Sequence, residues 1–212
     1  MVRRILYLHG LASSPLSRKG QAFDAYLSQR GFVVERLDLR LPNRNGLRLS
    51  AMIDHVLDQL DHGGPATLIG SSLGGLVAAH VAKKREDVPA LVLMAPAFRF
   101  AERWRERLGE DGFRRWKNGE PLEVEDHAGG EPLRVDFGFY EDAAQIDIAI
   151  PELTMPVLLM HGRYDEVVDI AVSRELARSH GPRVTFVELD DDHGLAASIP
   201  MMLPLTLRFL EA

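Results

Sequence analysis

Residues 68 to 75 read LIGSSLGG and set two serine hydroxyls side by side between glycines. A serine hydroxyl becomes a nucleophile only when a neighbouring base takes its proton. The apolar run ATLIG (66–70) precedes the pair and the helix-forming LVAAHVAKK follows it, so the serines sit at a strand-to-helix turn. At the tip of such a turn strand and helix nearly touch, and the residues two positions to either side must be small. With Ser72 at the tip those residues are Gly70 and Gly74; with Ser71 they are Ile69 and Leu73, which clash. Ser72 is therefore the candidate nucleophile and Ser71 its small neighbour. The amide of Leu73 then lies at a helix N-terminus, where unpaired N–H groups favour negative charge.

A serine nucleophile needs an imidazole base and a carboxylate to orient that base. From a strand-to-helix turn the expected chain order is serine, acid, histidine, with the last two in loops after later strands. The run PVLLM is followed by HGRYDEVVD, and VTFVEL by DDDHGL, which puts Asp165 and His193 at those strand ends. Open parallel sheets gather ligands at the carboxyl ends of their strands, so all three residues emerge at one edge. Rival residues fit less well. His161 ends a strand and reads as a buried, hydrogen-bonded loop residue, while His55, His62, His80, His127 and His180 have no acid in a suitable place. Glu166 is one residue out of position, and Asp169 reads as a cap of the next helix. The runner-up acid is one of Asp190, Asp191 and Asp192. Together with His193 these aspartates could be taken for metal ligands, but no second histidine stands at ligand spacing. No metal and no cofactor is expected.

Attack on a carbonyl builds negative charge on its oxygen, and two aimed N–H groups are the usual means of holding it. Leu73 supplies one. The second is expected from LHGLASSP after the first strand, where Gly10 lets the backbone turn tightly and frees the amide of Leu11 to point inward. His9 is expected to pack behind this loop and prop it open.

The elements that must carry these residues alternate along the chain. Apolar runs at 4–8, 32–38, 66–70, 90–95, 156–162 and 184–189 are nearly continuous, as suits parallel strands covered on both faces. VERLD alone shows edge-like alternation. Helical patterns fall at 17–30, 47–61, 73–85, 168–179 and 197–211, the last interrupted by Pro200 and Pro204 and so expected to be ragged at its start. Strand–helix alternation of this kind implies right-handed crossovers and a doubly wound, mainly parallel six-stranded α/β sheet. Residues 97–150 break the rhythm and are too long for a plain connection, so a lid or cap with helices of its own is expected there, with 1–96 and 151–212 forming the core. That segment carries Phe98, Phe100, Trp104, Phe113, Trp116, Phe137, Phe139 and Tyr140, which mostly fill its own core. It also carries Arg99, Arg103, Arg105, Arg107, Arg114 and Arg115, interleaved with glutamates as on a solvated helix face; the sharper reading is attraction of an anionic leaving group.

Composition narrows the classes. The 212 residues suffice for a sizeable single-domain core, and a net charge of −6 argues against nucleic-acid binding. With no cysteine, disulfides, thiolate metal sites and cysteine nucleophiles are excluded. The opening ILYL is too short for a signal peptide and no stretch reaches a membrane span, so a soluble, cytoplasmic protein is expected.

Taken together, YLHG, GSSLGG, HGRYDEVVD and DDDHGL resemble the α/β-hydrolase superfamily and arrive in its order across essentially the whole chain. LHGLASSPLSRKG with GSSLGG resembles the small YqiA-like serine esterases. APAFRF, ERW and FYEDA are similar to ABHD-type hydrolases of acyl thioesters and acyl glucuronides. The resemblance implies a Ser72–His193–Asp165 triad acting on a small carboxylic-ester or thioester substrate. The two leading antiparallel strands of larger members are missing, which implies a trimmed fold. The same triad also serves peroxidases and carbon–carbon hydrolases, since fold and triad do not fix the reaction. A non-catalytic binding protein on this fold is disfavoured because all three triad positions are filled, and a dehalogenase because it needs aspartate at position 72.

Overall fold

The computed structural model describes residues 3–126 and 131–212. Its six long apolar runs become β1 (Arg4–Leu8), β2 (Val33–Leu37), β3 (Thr67–Ser71), β4 (Leu91–Met94), β7 (Val157–Gly162) and β8 (Val184–Leu189). These form one sheet in the order β2-β1-β3-β4-β7-β8, with every neighbouring pair parallel. The side-chain period of two explains the unbroken apolar runs, because successive residues face opposite layers. Leu6, Leu68, Leu93 and Leu159 join one buried cluster, and their chain neighbours Tyr7, Ile69, Met94 and Leu158 join the other. The first layer is covered by α2 (Leu49–Gly63), α3 (Leu73–Lys84) and α6 (Ala171–His180), the second by α1 (Arg18–Ser28) and α7 (Ile199–Glu211). As VERLD suggests, β2 lies at a sheet edge, with Val33 exposed.

Chain order sets the place where a ligand can enter. From β1 the chain steps outward to β2, returns to β3 on the other side of β1, and then proceeds one way through β4, β7 and β8. The reversal leaves a crevice beyond the carboxyl ends of β1 and β3. His9 and Gly10 follow β1 there, and Ser72 follows β3.

Between β4 and β7 the chain builds α4 (Phe100–Lys117), β5 (Leu122–Val124), β6 (Leu133–Val135) and α5 (Phe137–Ile146). Helices are expected in this stretch and α4 and α5 are found there, but the antiparallel β5–β6 ribbon was not legible. Each strand holds three residues centred on a charged one, too few to show a period. Within α4, Gly109 adopts φ 63°, ψ 173°, a conformation closed to residues with a Cβ, and divides the helix into two segments. The aromatic residues do not form a separate core. Phe98, Phe100, Trp116 and Phe139 are buried in the same cluster as the sheet's first layer. Trp116 is further fixed by a bond from its indole Nε1 to the Val135 carbonyl at 2.9 Å. Polar ties hold the insertion at its flanks: Arg48 to Asp136 at 2.8 Å, and the Ser50 N–H and hydroxyl to Asp142 at 2.8 and 2.6 Å. Asp147 accepts the Phe100 N–H at 2.6 Å, closing the first turn of α4 onto the end of α5.

The last helix starts more cleanly than its prolines suggest. Pro200 occupies the first turn, where an N–H has no partner within the helix anyway, and Pro204 removes only one interior bond. No described helix is long and apolar enough to cross a membrane.

Candidate active site

Ser72 stands between β3 and α3 with φ 53° and ψ −117°, a backbone conformation that favours glycine. The glycines around it show why the turn survives. A Cβ on Gly70 would lie 2.4 Å from the Gly74 carbonyl oxygen, and one on Gly74 only 2.1 Å from the Leu8 carbonyl oxygen. Strand, helix and the neighbouring β1 therefore touch backbone to backbone. The Ser72 N–H bonds to the Met94 carbonyl at 2.9 Å, and its own carbonyl accepts from Gly75, Leu76 and Ala97 at 2.9, 3.1 and 3.1 Å. Ser71 is buried at the end of β3, whereas Ser72 is partly exposed and its hydroxyl reaches His193.

The structure brings Ser72, His193 and Asp165 into one hydrogen-bonded row. The Ser72 hydroxyl donates to His193 Nε2 at 3.0 Å, and His193 Nδ1–H donates to Asp165 Oδ2 at 2.7 Å. Asp165 sits in the turn after β7 with its side chain wholly buried. Burial works against its charge, but donors from His161, His193 and the Val168 N–H outweigh that effect and hold the carboxyl well below the usual carboxylate range. Its Oδ1 accepts the Val167 and Val168 amides at 2.8 and 2.7 Å. The loop bearing His193 reaches it because Gly162 has no side chain: a Cβ there would meet the Asp191 carbonyl oxygen at 2.4 Å. The Tyr164 N–H bonds to that same carbonyl at 3.1 Å and links the acid's loop to the histidine's loop.

His161 has a closer connection to this row than the sequence reading allows. It lies within β7 rather than in a loop, fully buried, and its Nε2 is 3.0 Å from both Asp165 Oδ2 and the Val168 carbonyl oxygen. Both are acceptors, so Nε2 carries the proton and Nδ1 accepts from the Ser173 hydroxyl at 2.7 Å. Asp165 thus lies between two imidazoles. The HG pair at the end of β7, repeating the HG after β1, was the available signal.

His9 supports the first loop as expected. It is buried, its Nδ1–H donates to the Gly10 carbonyl at 2.8 Å, and its Nε2 accepts the Leu39 N–H at 3.0 Å. The Gly10 carbonyl and the Leu11 N–H belong to one planar peptide, so the His9 bond fixes the direction of that N–H. Burial lowers the His9 pKa, only partly offset by the Gly10 carbonyl and Asp38. Leu73 is the first residue of α3, so its N–H has no carbonyl one turn back. Gly10, Leu11, Ser72, Leu73 and His193 line one cavity of about 1160 Å³. Lys19 lines it too; burial pushes its ammonium pKa down to about 8, against the pull of Asp165, Asp191 and Asp192.

The remaining candidates have structural partners. Asp190 pairs with Arg163 at 2.8 Å, Asp191 accepts the Ser198 N–H at 2.8 Å and Asp192 the Gly194 N–H at 2.8 Å. Asp169 accepts the Ala171 N–H at 2.8 Å one residue before the cap position of α6, which is Ile170, and Glu166 is an exposed residue of the cavity lining. His80 is a buried packing residue with Nε2 3.8 Å from Asp147 Oδ1, away from the row. His55 and His62 lie on α2, and His180 accepts the Leu153 N–H at 2.9 Å. His127 lies outside the described residues. Among the described residues no group of three or more histidine, aspartate or glutamate side chains is gathered as a metal ion requires.

A model of the uncharacterised protein family UPF0227 matches residues 4–206. The chain belongs to this family. Its YqiA-like motifs are thereby accounted for. Two curated relatives of this UPF0227 chain, from two strains of Vibrio vulnificus, are pimeloyl-[acyl-carrier protein] methyl ester esterases. One is 28% identical over 181 residues, covering 68% of this chain and 70% of the relative. The other is 28% identical over 207 residues, covering 76% and 80%. Among solved structures, mouse alpha/beta hydrolase domain-containing protein 10 superposes with a TM-score of 0.83 at 23% identity, over 100% of this chain and 90% of its own. Est1E from Butyrivibrio proteoclasticus gives 0.79 at 20% identity, over 99% and 88%. The UPF0227 chain has the α/β-hydrolase fold.

Proposed function

We propose that this chain is a serine hydrolase of carboxylic esters or acyl thioesters, acting through an acyl-enzyme on Ser72. The observation that carries the reading is the unbroken row from the Ser72 hydroxyl through His193 to Asp165, with Ser72 and His193 lining a cavity large enough for an acyl chain. The curated relatives, named as methyl ester esterases, support the ester bond as the target.

In the first step His193 Nε2 takes the Ser72 proton as the oxygen attacks the carbonyl carbon. Asp165 holds Nδ1 in its protonated form and stabilises the imidazolium that results. The Leu11 and Leu73 amides receive the charge on the carbonyl oxygen. His193 then protonates the departing alcohol or thiol, activates a water in the same way, and the acyl group leaves Ser72 as a carboxylic acid. Phe100 and Trp104 are the aromatic residues of the insertion that line the cavity, and they offer the acyl chain an apolar wall.

The test is a panel of p-nitrophenyl esters and acyl thioesters assayed with the unmodified protein and with Ser72→Ala. Turnover should fall by about six orders of magnitude in the variant. A fluorophosphonate should add one phosphonyl group, at Ser72. Retention of a tenth or more of the activity by Ser72→Ala, or labelling at another residue, would show that the nucleophile lies elsewhere.

A further inference from the structure

The six arginines between 99 and 115 divide into two sets once their surroundings are compared. Arg99 pairs with Glu175 at 2.8 Å, Arg105 with Glu110 at 3.3 Å, Arg114 with Asp111 at 2.6 Å and Arg115 with Glu120 at 3.4 Å. These four make the ordinary solvated face that the interleaved glutamates suggest. Arg103 and Arg107 have no carboxylate within ion-pair distance among the described residues, and they are the two that line the cavity.

Helix geometry explains the division. Phe100, Arg103, Trp104, Arg107 and Leu108 all face the cavity, at the i, i+3, i+4, i+7, i+8 spacing of a single stripe. The other three positions of the stripe are apolar, whereas Arg103, partly buried, and Arg107, exposed, each present a full charge to the cavity. Arg103 is anchored: Nη1 donates to the Val167 carbonyl at 3.0 Å, and Nε is buried without a partner. A guanidinium already fixed in this way loses little further side-chain freedom when it binds a ligand. Asp147, Asp165 and Asp169 act on it only from beyond contact distance, and burial still disfavours its charge. Two hairpin glutamates, Glu123 and Glu125, also border the cavity, but neither lies within ion-pair distance of Arg103 or Arg107. Leu122 and Val124 pack against the core while Glu123 and Glu125 are exposed, as strand alternation requires.

We propose that Arg103 and Arg107 form an anion subsite, so that the preferred substrate carries a carboxylate or phosphate remote from its scissile carbonyl. The assignment rests on the hydrolase reading and specifies its substrate class. Forked donors suit both oxyacids, which could sit at the far end of the acyl chain or on the departing alcohol or thiol. The subsite holds the substrate in place and takes no part in bond breaking.

Three matched thioesters test it: one neutral throughout, one with a terminal carboxylate on the acyl chain, and one with a phosphate on the thiol. The readout is the ratio of kcat/KM for each anionic substrate to that for the neutral one on the same preparation, so that any loss of folded protein cancels. In the unmodified protein at least one ratio should be about ten to a hundred, the usual strength of a hydrogen bond to a charged group. The substrate showing it locates the anion on the acyl or the leaving side. Arg107→Gln and the Arg103→Gln/Arg107→Gln pair should bring that ratio toward one, mainly through KM. Arg107→Lys should keep part of it, and Arg105→Gln, which alters an outward pair, should keep all of it. Ratios at or below one for both anionic substrates, or ratios unchanged by Arg107→Gln and by the double variant, overturn the subsite. The hydrolase reading is judged separately, by whether the neutral thioester is cleaved in a Ser72-dependent way.

Discussion

Replacing Ser72 with glycine should make the protein more stable than replacing it with alanine, the reverse of the usual order. Both variants lose the hydroxyl and its bond to His193, so that contribution cancels between them. They differ in backbone freedom at φ 53°, ψ −117°, which alanine tolerates poorly and glycine adopts readily. Strain of this kind is worth about 1–3 kcal/mol per residue. Against it stands the greater freedom of glycine in the unfolded chain, about 0.4–1 kcal/mol. The balance favours glycine by about 1 kcal/mol, or roughly 2–4 °C in Tm for a chain of this length. A control at an unstrained site gives the opposite sign: Ala25→Gly, exposed within α1, should cost about 1 kcal/mol. Thermal and urea unfolding of the three variants decides the matter. If Ser72→Gly unfolds below Ser72→Ala by as much as Ala25→Gly falls below the unmodified protein, the serine turn stores no strain and the argument built on its φ is wrong.

Gly74→Ala should be far more damaging than its size suggests, at least about 3 kcal/mol by urea denaturation, because the added carbon meets the Leu8 backbone at 2.1 Å rather than a side chain able to move. Asp165→Asn should lower kcat by about four orders of magnitude in the ester assay; a loss below tenfold would leave His193 oriented by something else. It should also lower Tm, since an amide nitrogen would confront donors from His161, His193, Val167 or Val168. His9 must stay neutral to accept the Leu39 N–H, and its pKa is lowered by burial from 6.5. Below about pH 6.5 the unfolded chain therefore binds a proton that the folded one refuses, and stability drains away as pH falls, by up to about 1.4 kcal/mol per unit. Urea midpoints at pH 7.5 and 5.5 should fall further for the unmodified protein than for His9→Asn; equal falls would refute this.

Much of the site was legible because its constraints are local. Gly70 and Gly74 select Ser72 over Ser71 by size alone, and strand ends bracket Asp165 and His193 wherever the strands themselves are apolar and continuous. Less legible were features that depend on packing between distant segments. His161 looks like one more strand-end histidine until β7 and the Asp165 turn are folded against each other. Arg103 and Arg107 carry the same letter as their four paired neighbours, and only the direction of the α4 stripe separates them. The β5–β6 ribbon is too short to show a period, and Pro200 and Pro204 argued against a clean helix that tertiary packing on the sheet's second layer nevertheless sustains.

The glycine break at residue 109 makes two mechanical parts out of one helix. Phe100 to Leu108 form the ceiling of the cavity, while Trp116 and Phe113 belong to a buttress of rings packed edge to face against Phe137 and Tyr140. Changes in the buttress alter how firmly the ceiling is seated without changing the chemical groups it presents, so reshaping substrate preference and tuning rigidity become separate tasks in this chain.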